Sequence, residues 1–182
     1  MSKPELTKKM IADTLKVLVL KTPIDKITIH DIVETSGINR TTFYYHFHDK
    51  QSLICWIFNE EFDKYNHSTD SGELLIKIVN HMYKEKAFYV PAMLSEVQNN
   101  LRNHIYALAY DRCMIDIREH LGKRHISEHS TNFIANYFAN AVIGSIVQWA
   151  KDGMIINPNE LELNIAPITS DCIKLVIDRY VK

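Results

Sequence analysis

One twelve-residue segment, NRTTFYYHFHDK (residues 39–50), concentrates hydrogen-bond donors and aromatic rings. On a helix, Phe43 and Phe47 are four residues apart and point together into a core. The opposite side then carries arginine, threonine, tyrosine, histidine and lysine side chains, with Asp49 as the single acid. Such a helix suits the DNA major groove, where its first residues reach base edges and its hydroxyls and cations contact phosphates. The same composition also fits a surface helix that packs on a neighbouring domain.

Enzyme chemistry is not indicated elsewhere in the sequence. There is no nucleophile elbow, phosphate-binding glycine loop, HExxH motif or triad-like spacing. His125 and His129 have the i, i+4 spacing of a metal pair, but no third ligand accompanies them. Cys55, Cys113 and Cys172 are odd in number and far apart, as expected of free thiols in a reducing compartment. We therefore expect no enzyme activity, no catalytic residue, no metal and no cofactor.

The overall composition is that of a soluble protein with a substantial core, with 46% hydrophobic and 24% charged residues. No uncharged apolar run is long enough to span a membrane, and the N-terminus lacks the pattern of a signal peptide, so we expect a cytoplasmic protein. Residues 1–50 hold eight Lys/Arg against six Asp/Glu, whereas the remainder holds 13 against 16. This asymmetry permits nucleic-acid binding without indicating it by itself.

The elements around the opening segment follow a helix-turn-helix pattern. Apolar residues recur at helical spacing over residues 5–20. Thr28 and Asp31 then resemble a capping box that starts a short helix, and Gly37 is placed to end it in a left-handed conformation. A third helix over residues 40–47 follows at once. Two helices joined by a tight glycine-containing turn within about twenty residues are typical of a DNA-binding helix-turn-helix.

The remaining chain also has helical periodicity. We predict helices near residues 73–86, 91–99, 101–121 and 128–152, and a last helix that starts at Pro158 and is interrupted at Pro167. The polar stretch NHSTDSG is the candidate domain boundary. The predicted fold is all-α. Its N-terminal three-helix helix-turn-helix DNA-binding domain covers residues 1–50, and helix 50–66 links it to a helical effector-binding and dimerisation domain over residues 67–182.

The sequence ITIHDIVETSGINRTTFYYHFHDKQSL resembles the DNA-binding signature of the TetR family of transcriptional regulators. The shared features are the Ile-Thr opening, the Gly-Ile turn, the run Thr-aromatic-Tyr-x-His/Tyr-Phe, and the polar-Lys-Leu ending. The match covers residues 24–53 closely. A second stretch, YFANAVIGSIVQWAKDGMIINPNEL, resembles the C-terminal part of the short DhaS-like subgroup of low-GC Gram-positive bacteria.

This resemblance implies roles for individual residues of the helix-turn-helix. Base-facing positions correspond to Arg40, Thr41 and Tyr45. Phosphate-binding positions, which also set the register of the recognition helix, correspond to Thr28, Thr42, Tyr44, His46 and Lys50. The chemistry is compatible, since arginine pairs bidentately with guanine, a threonine methyl contacts thymine, and lysine is a point charge for phosphate. Thr41 replaces the Gly or Ala common in the family, so the operator cannot be taken from a relative.

The resemblance further implies a homodimer that binds an inverted-repeat, double-stranded DNA operator, with recognition helices about 34 Å apart. The residues expected at the dimer interface are Ala135, Ala139, Gly144, Ile173, Val176, Ile177 and Tyr180. Alternatively, the small residues among them pack within one subunit. A repressor released by an effector is the expectation from the family. An activator working with a co-regulator protein, or a helical interaction module that no longer binds DNA, stays open.

An effector pocket is indicated by aromatic, His and Met residues in the middle of the chain, since pockets are largely apolar with a few polar groups. The candidate ligand-binding residues are His81, Tyr89, Met93, Tyr106, Tyr110, Phe133, Tyr137 and Trp149. At helical spacing, the same residues also fit an ordinary core. The DhaS-like resemblance leaves the effector open between a small molecule and a partner protein.

Overall fold

A computed structural model describes residues 2–65, 71–98 and 100–181, and all regular structure within these ranges is helical. The prediction of an all-α fold is therefore confirmed. The elements in chain order are α1 (Lys3–Val19), the 3₁₀ turn η1 (Ile24–Lys26), α2 (Ile29–Ser36), α3 (Arg40–His46), α4 (Lys50–Phe62), α5 (Ser71–Lys84), α6 (Lys86–Leu94), α7 (Leu101–Leu121), α8 (Glu128–Lys151) and α9 (Pro158–Tyr180). None of the described helices is long and apolar enough to cross a membrane.

The boundaries of α2 and α3 follow from local chemistry. The backbone N–H of Thr28 donates to Asp31 Oδ2 at 2.7 Å, and the Asp31 N–H donates to Thr28 Oγ1 at 3.2 Å, which completes the predicted capping box. Gly37 ends α2 with φ of 72°, a conformation that glycine adopts without a Cβ penalty. Asn39 then caps α3, its Oδ1 accepting the Thr42 N–H at 2.7 Å. The helix-turn-helix is thus specified by short-range contacts.

The core of the N-terminal helices is built from one apolar face of each helix. Ile11 and Leu15 of α1 meet Ile32 of α2 and Phe43 of α3, and all four are fully buried. Burying each such side chain contributes about 1.5–3 kcal/mol. The same apolar cluster continues without interruption through α4, α5 and α6 to Trp149 at the end of α8. α3 is therefore supported by a core that runs into the C-terminal helices.

A second apolar cluster joins α7, α8 and α9, and it includes residues predicted to lie at the dimer interface. Four of the expected interface residues, Ala135, Ala139, Ile173 and Ile177, are at most 2% exposed within the single chain. Three of these four lie in this cluster, against Ile117 of α7. Their burial within one chain favours the alternative of packing within one subunit. Helical spacing alone does not distinguish an interior apolar face from an interface face.

The bounds of α6 and α9 differ from the predicted bounds, in each case at a proline position. α6 begins at Lys86 and contains Pro91 in its interior, and α9 continues through position 167 without a break. An interior proline costs about 3 kcal/mol through a lost hydrogen bond and a steric clash. In α6, burial of Phe88, Tyr89 and Met93 offsets that cost. α9 packs along α5, α7 and α8, and these contacts hold it as one helix.

Candidate nucleic-acid interface

The outer side of α3 carries the predicted base-facing residues. Arg40, Thr41 and Tyr45 are all exposed, opposite the buried Phe43. Tyr45 is 79% exposed, an unusual position for a large aromatic ring. A ring that stands free of the core is available to a partner surface, and its hydroxyl both donates and accepts hydrogen bonds.

Arg40 and Tyr44 form a pair one turn apart on the same helix. The Arg40 Nη2 group donates to Tyr44 Oη at 3.3 Å, and the guanidinium carbon lies 5.6 Å from the centroid of the Tyr44 ring. An exposed cation–π contact of this kind contributes about 0.5–1 kcal/mol. It restricts the guanidinium before any partner binds, which reduces the entropy lost on binding.

The threonines expected to bind phosphate are engaged within the protein. Thr28 Oγ1 donates its proton to Asp31 Oδ2 at 2.7 Å, and Thr42 Oγ1 donates to Asn39 Oδ1 at 2.9 Å. A phosphate oxygen only accepts hydrogen bonds, so it would have to displace these carboxylate and amide acceptors. In the free protein, both threonines therefore stabilise the N-termini of α2 and α3.

Lys50, predicted to bind phosphate, makes structural contacts within the chain. Its ammonium donates to the backbone carbonyls of Ile24 at 2.6 Å, Ile27 at 2.7 Å and Asp25 at 3.4 Å. Lysine has three N–H donors, so all three are used inside the chain. Burial lowers the pKa of the Lys50 ammonium, against the opposing effect of the Asp25 carboxylate. Lys50 thus ties η1 to the start of α4.

His46 is half-buried at the end of α3. Burial, and then the positive charge of Lys8 on α1, lower the pKa of its imidazole below the usual value. The lowered pKa disfavours the charged imidazolium, so His46 is suited to hydrogen-bond a phosphate rather than to pair with its charge. Sequence reasoning did not select Lys8, because its proximity to α3 depends on how α1 packs.

The eight predicted effector-pocket residues do not converge on one site. Tyr89 and Met93 of α6 are fully buried core residues. The Nε2 atom of His81 lies 3.1 Å from Tyr89 Oη, and the Trp149 indole N–H donates to the Ile156 carbonyl at 2.8 Å. These are satisfied interior groups.

The other four of these residues lie along α7 and α8. The Tyr106 hydroxyl donates to Asn136 Oδ1, and the Tyr110 hydroxyl donates to Asn132 Oδ1 at 3.0 Å, so both tyrosines tie α7 to α8. The remaining two are exposed on the outer face of α8, namely Phe133 at 61% and Tyr137 at 64%. None of the eight lines the apolar cavity described next.

A cavity of about 70 Å³ lies between α4, α5, α7 and α8. Its walls are apolar except at one end, where Arg112 Nε donates to Ser71 Oγ at 2.6 Å and lies 3.2 Å from Asp116 Oδ1. The Ser71 hydroxyl donates to Asp116, and burial raises the pKa of that carboxyl. The apolar lining has the periodicity of an ordinary core, so the sequence offered no signal for it.

Comparison of the sequence with models of protein families agrees with the helix-turn-helix and the helical domain seen in the structure. Residues 11–54 match the family model described as bacterial regulatory proteins of the tetR family, and residues 70–171 match the transcriptional regulator C-terminal region TetR_C_8. The helix-turn-helix and the helical domain behind it define a DNA-binding transcriptional regulator rather than an enzyme. The chain belongs to the TetR family, as its sequence motifs predicted.

Individual relatives support this membership. The chain is 27% identical over 150 residues, 78% of each protein, to the HTH-type dhaKLM operon transcriptional activator DhaS of Lactococcus lactis. The solved structure of a dihydroxyacetone kinase operon activator DhaS superposes with a TM-score of 0.66 at 22% identity, covering 97% of this chain and 98% of the other.

Two further solved structures share the fold. A TetR transcriptional regulator from Streptococcus agalactiae gives a TM-score of 0.59 at 18% identity, covering 92% of this chain and 95% of its own. NalD, the secondary repressor of the MexAB-OprM multidrug efflux pump in Pseudomonas aeruginosa, gives 0.59 at 16% identity, covering 93% and 96%.

Proposed function

We propose that this TetR-family regulator acts in the cytoplasm as a homodimer that binds an inverted-repeat operator, with α3 as its recognition helix. The proposal rests on the exposed side chains of Arg40, Thr41, Tyr44 and Tyr45 on α3, whose Phe43 is buried in the core. No acidic side chain occurs within α3, so DNA phosphates meet no like charge on it. Donors and rings on the solvent side of a short, well-supported helix match the requirements of major-groove recognition.

Within α3, each residue type has a distinct role at the operator. Arg40 pairs bidentately with a guanine edge, the Thr41 methyl contacts a thymine methyl, and Tyr45 reaches a neighbouring base edge. Tyr44 and His46 hydrogen-bond phosphates. Thr28 and Thr42 set the register by fixing the N-termini of α2 and α3. In functional terms, residues 1–50 read DNA and residues 67–182 dimerise and respond to an effector.

The dimer forms through the solvent-exposed faces of α8 and α9. Phe133, Tyr137 and Gly144 follow one another along the outer face of α8, where the glycine allows a second helix to approach closely. On α9, Leu175 and Tyr180 are large, apolar and exposed. Unpartnered apolar side chains on two neighbouring helices fit a four-helix contact with a second copy, the arrangement that places two recognition helices in successive grooves.

The effector acts on the helical domain. Two candidate functions differ in whether the protein represses or activates transcription. A cavity of about 70 Å³ lies well below the 300–1,000 Å³ typical of pockets for drug-sized ligands. A small-molecule effector that releases a repressor would therefore have to enlarge it. The second candidate is an activator working with a partner protein. The identity to DhaS, an operon activator by its name, favours this second candidate.

Selection of bound fragments from a random DNA pool tests the proposal. Purified protein at about 150 mM salt, where non-specific binding is weak, should enrich an inverted repeat with half-sites about one helical turn apart. An Arg40→Ala variant serves as the matched control and should not enrich it. A wild-type pool that stays unenriched, both alone and in cell extract, contradicts the DNA-binding function and supports an interaction module.

A reporter gene behind the selected operator then decides the sign of control. Reporter output that rises on expression of the protein identifies an activator, whereas output that falls identifies a repressor. Repeating the assay with Arg40→Ala separates effects through the operator from indirect ones.

A further inference from the structure

The turn η1 is a junction where helices α4 and α6 are anchored beside the helix-turn-helix. On one side, Lys50 at the start of α4 holds the carbonyls of Ile24 and Ile27 at 2.6 and 2.7 Å. On the other side, Ser95 at the end of α6 donates its hydroxyl proton to Asp25 Oδ1 at 2.6 Å, across 70 residues of sequence. Two residues beyond η1, Thr28 begins the cap of α2.

The residue that bonds Asp25, Ser95, is itself hydrogen-bonded by a second buried polar residue, Asn100. Ser95 is 2% exposed and Asn100 is 3% exposed, which is unusual for such polar residues. The Asn100 Nδ2 group donates to the Ser95 carbonyl at 2.9 Å, while Asn100 Oδ1 caps α7 by accepting the Asn103 N–H at 3.1 Å. The N-terminus of α7 is therefore connected to Asp25 through two consecutive hydrogen bonds.

Helices α4 and α7 also enclose the cavity. Phe58 and Phe62 of α4 face Ile105 and Ala109 of α7 across it. Above the cavity, His104 Nε2 lies 2.7 Å from Asn59 Oδ1 and joins the two helices directly. Both helices are thus connected to η1, α4 directly through Lys50 and α7 through Asn100 and Ser95.

We propose that Asp25 and Ser95 are positioning residues, and that their hydrogen bond fixes the orientation of the helix-turn-helix relative to the helical domain. Through it, the separation of α4 and α7 sets the orientation of α3. This inference rests on the proposed operator function, because the orientation of α3 matters when two copies must match two half-sites. The bond is buried on the Ser95 side, so water does not readily replace it.

Operator spacing provides a measurement that a purely structural role would not change. Wild-type protein discriminates the selected operator from one with two extra base pairs between its half-sites. In Ser95→Ala and Asp25→Ala, that affinity ratio should fall about fivefold to tenfold, since the helix-turn-helix can then adjust to the longer spacing. In the double variant the affinity ratio should fall no further, because both single changes break the same hydrogen bond.

Two control variants separate positioning from other effects. Asp25→Asn removes the charge but keeps Oδ1 as an acceptor, so it should retain the wild-type spacing ratio. Thr131→Ala removes an exposed, local side-chain hydrogen bond at the start of α8, away from η1, and should also retain the wild-type ratio. If Ser95→Ala weakens binding to both operators by the same factor, the role of the bond is structural and the proposal is overturned.

A second measurement is independent of DNA. Spin labels at His48→Cys and Lys123→Cys, in a chain without its three native cysteines and diluted into unlabelled protein, report the distance between the two domains. Ser95→Ala should broaden the distance distribution, whereas Thr131→Ala should not. An unchanged distribution overturns the proposal even when no operator is found, while failure of the DNA selection alone contradicts only the operator function.

Discussion

The imidazole of His81 lies edge-on to the Tyr89 ring, with 3.1 Å between Nε2 and the phenol oxygen. Glu61 and Glu85 flank the imidazole at 3.7 and 4.0 Å, while Lys16 reaches Glu85 from α1 and Lys64 pairs with Glu61. Burial outweighs the two carboxylates and lowers the pKa of His81. The contact between α1 and the C-terminal helices therefore contains a histidine whose neutral form is favoured by burial.

Stability should fall when the pH drops from about 7.5 to 5.5. His46, His81 and His104 all have a folded-state pKa below the usual value, with burial as the main cause. The unfolded chain therefore binds protons first, near pH 6.5, and acidification favours unfolding. Urea unfolding across this range should show the decline, and His104→Asn should make it shallower. A free energy of unfolding that rises on acidification contradicts these assignments.

Replacing Lys50 should destabilise the protein before it affects DNA contacts. Lys50→Met leaves the carbonyls of Ile24 and Ile27 without their donor, at a cost of about 1–3 kcal/mol for each buried group. Lys84→Met, at an exposed lysine, is the control and should change the free energy of unfolding by less than about 0.5 kcal/mol. Urea unfolding of both variants measures the difference in the free energy of unfolding. Equal stabilities would favour the phosphate-binding role for Lys50.

The helix-turn-helix was predictable because its signals are local. Thr28, Gly37 and Asn39 act within four residues of their own positions, so cap and turn chemistry specify α2 and α3 before any tertiary contact forms. The burial of Phe43 and the exposure of Tyr45 follow from helical periodicity. The all-α class and the TetR family were accessible for the same reason.

The roles of Lys50, Ala135 and Ser95 depended instead on tertiary structure. Lys50 meets η1 across more than twenty residues, and Ser95 meets Asp25 across 70. An apolar position on α8 has the same helical pattern whether it faces α7 or a second subunit. Ala135, predicted at the dimer interface, is buried within the single chain, whereas Phe133, predicted in a pocket, lies on the outer face.

Replacing Tyr45 should separate specific from non-specific DNA binding. Tyr45→Ala removes a base-edge contact and should weaken operator binding by about 1–3 kcal/mol, while binding to unrelated DNA stays within twofold. Because the ring is largely exposed, the thermal midpoint should not change. Fluorescence anisotropy with operator and scrambled duplexes measures both affinities. Equal losses on the two duplexes would place Tyr45 at the phosphates.

A charge on the outer face of α8 should dissociate the dimer. Tyr137→Glu puts a carboxylate at the centre of the apolar face, where burial against a second copy would leave it unpaired, at a cost of several kcal/mol. Since the ring is exposed in the single chain, the fold of each subunit should persist. Sedimentation velocity should show a monomer for Tyr137→Glu and a dimer for the control Lys123→Glu, an exposed position after α7. The monomer should also lose affinity for the paired half-sites while keeping its helical circular dichroism, because one recognition helix alone cannot contact both grooves. A Tyr137→Glu protein that remains dimeric would place the subunit interface elsewhere than the exposed face of α8.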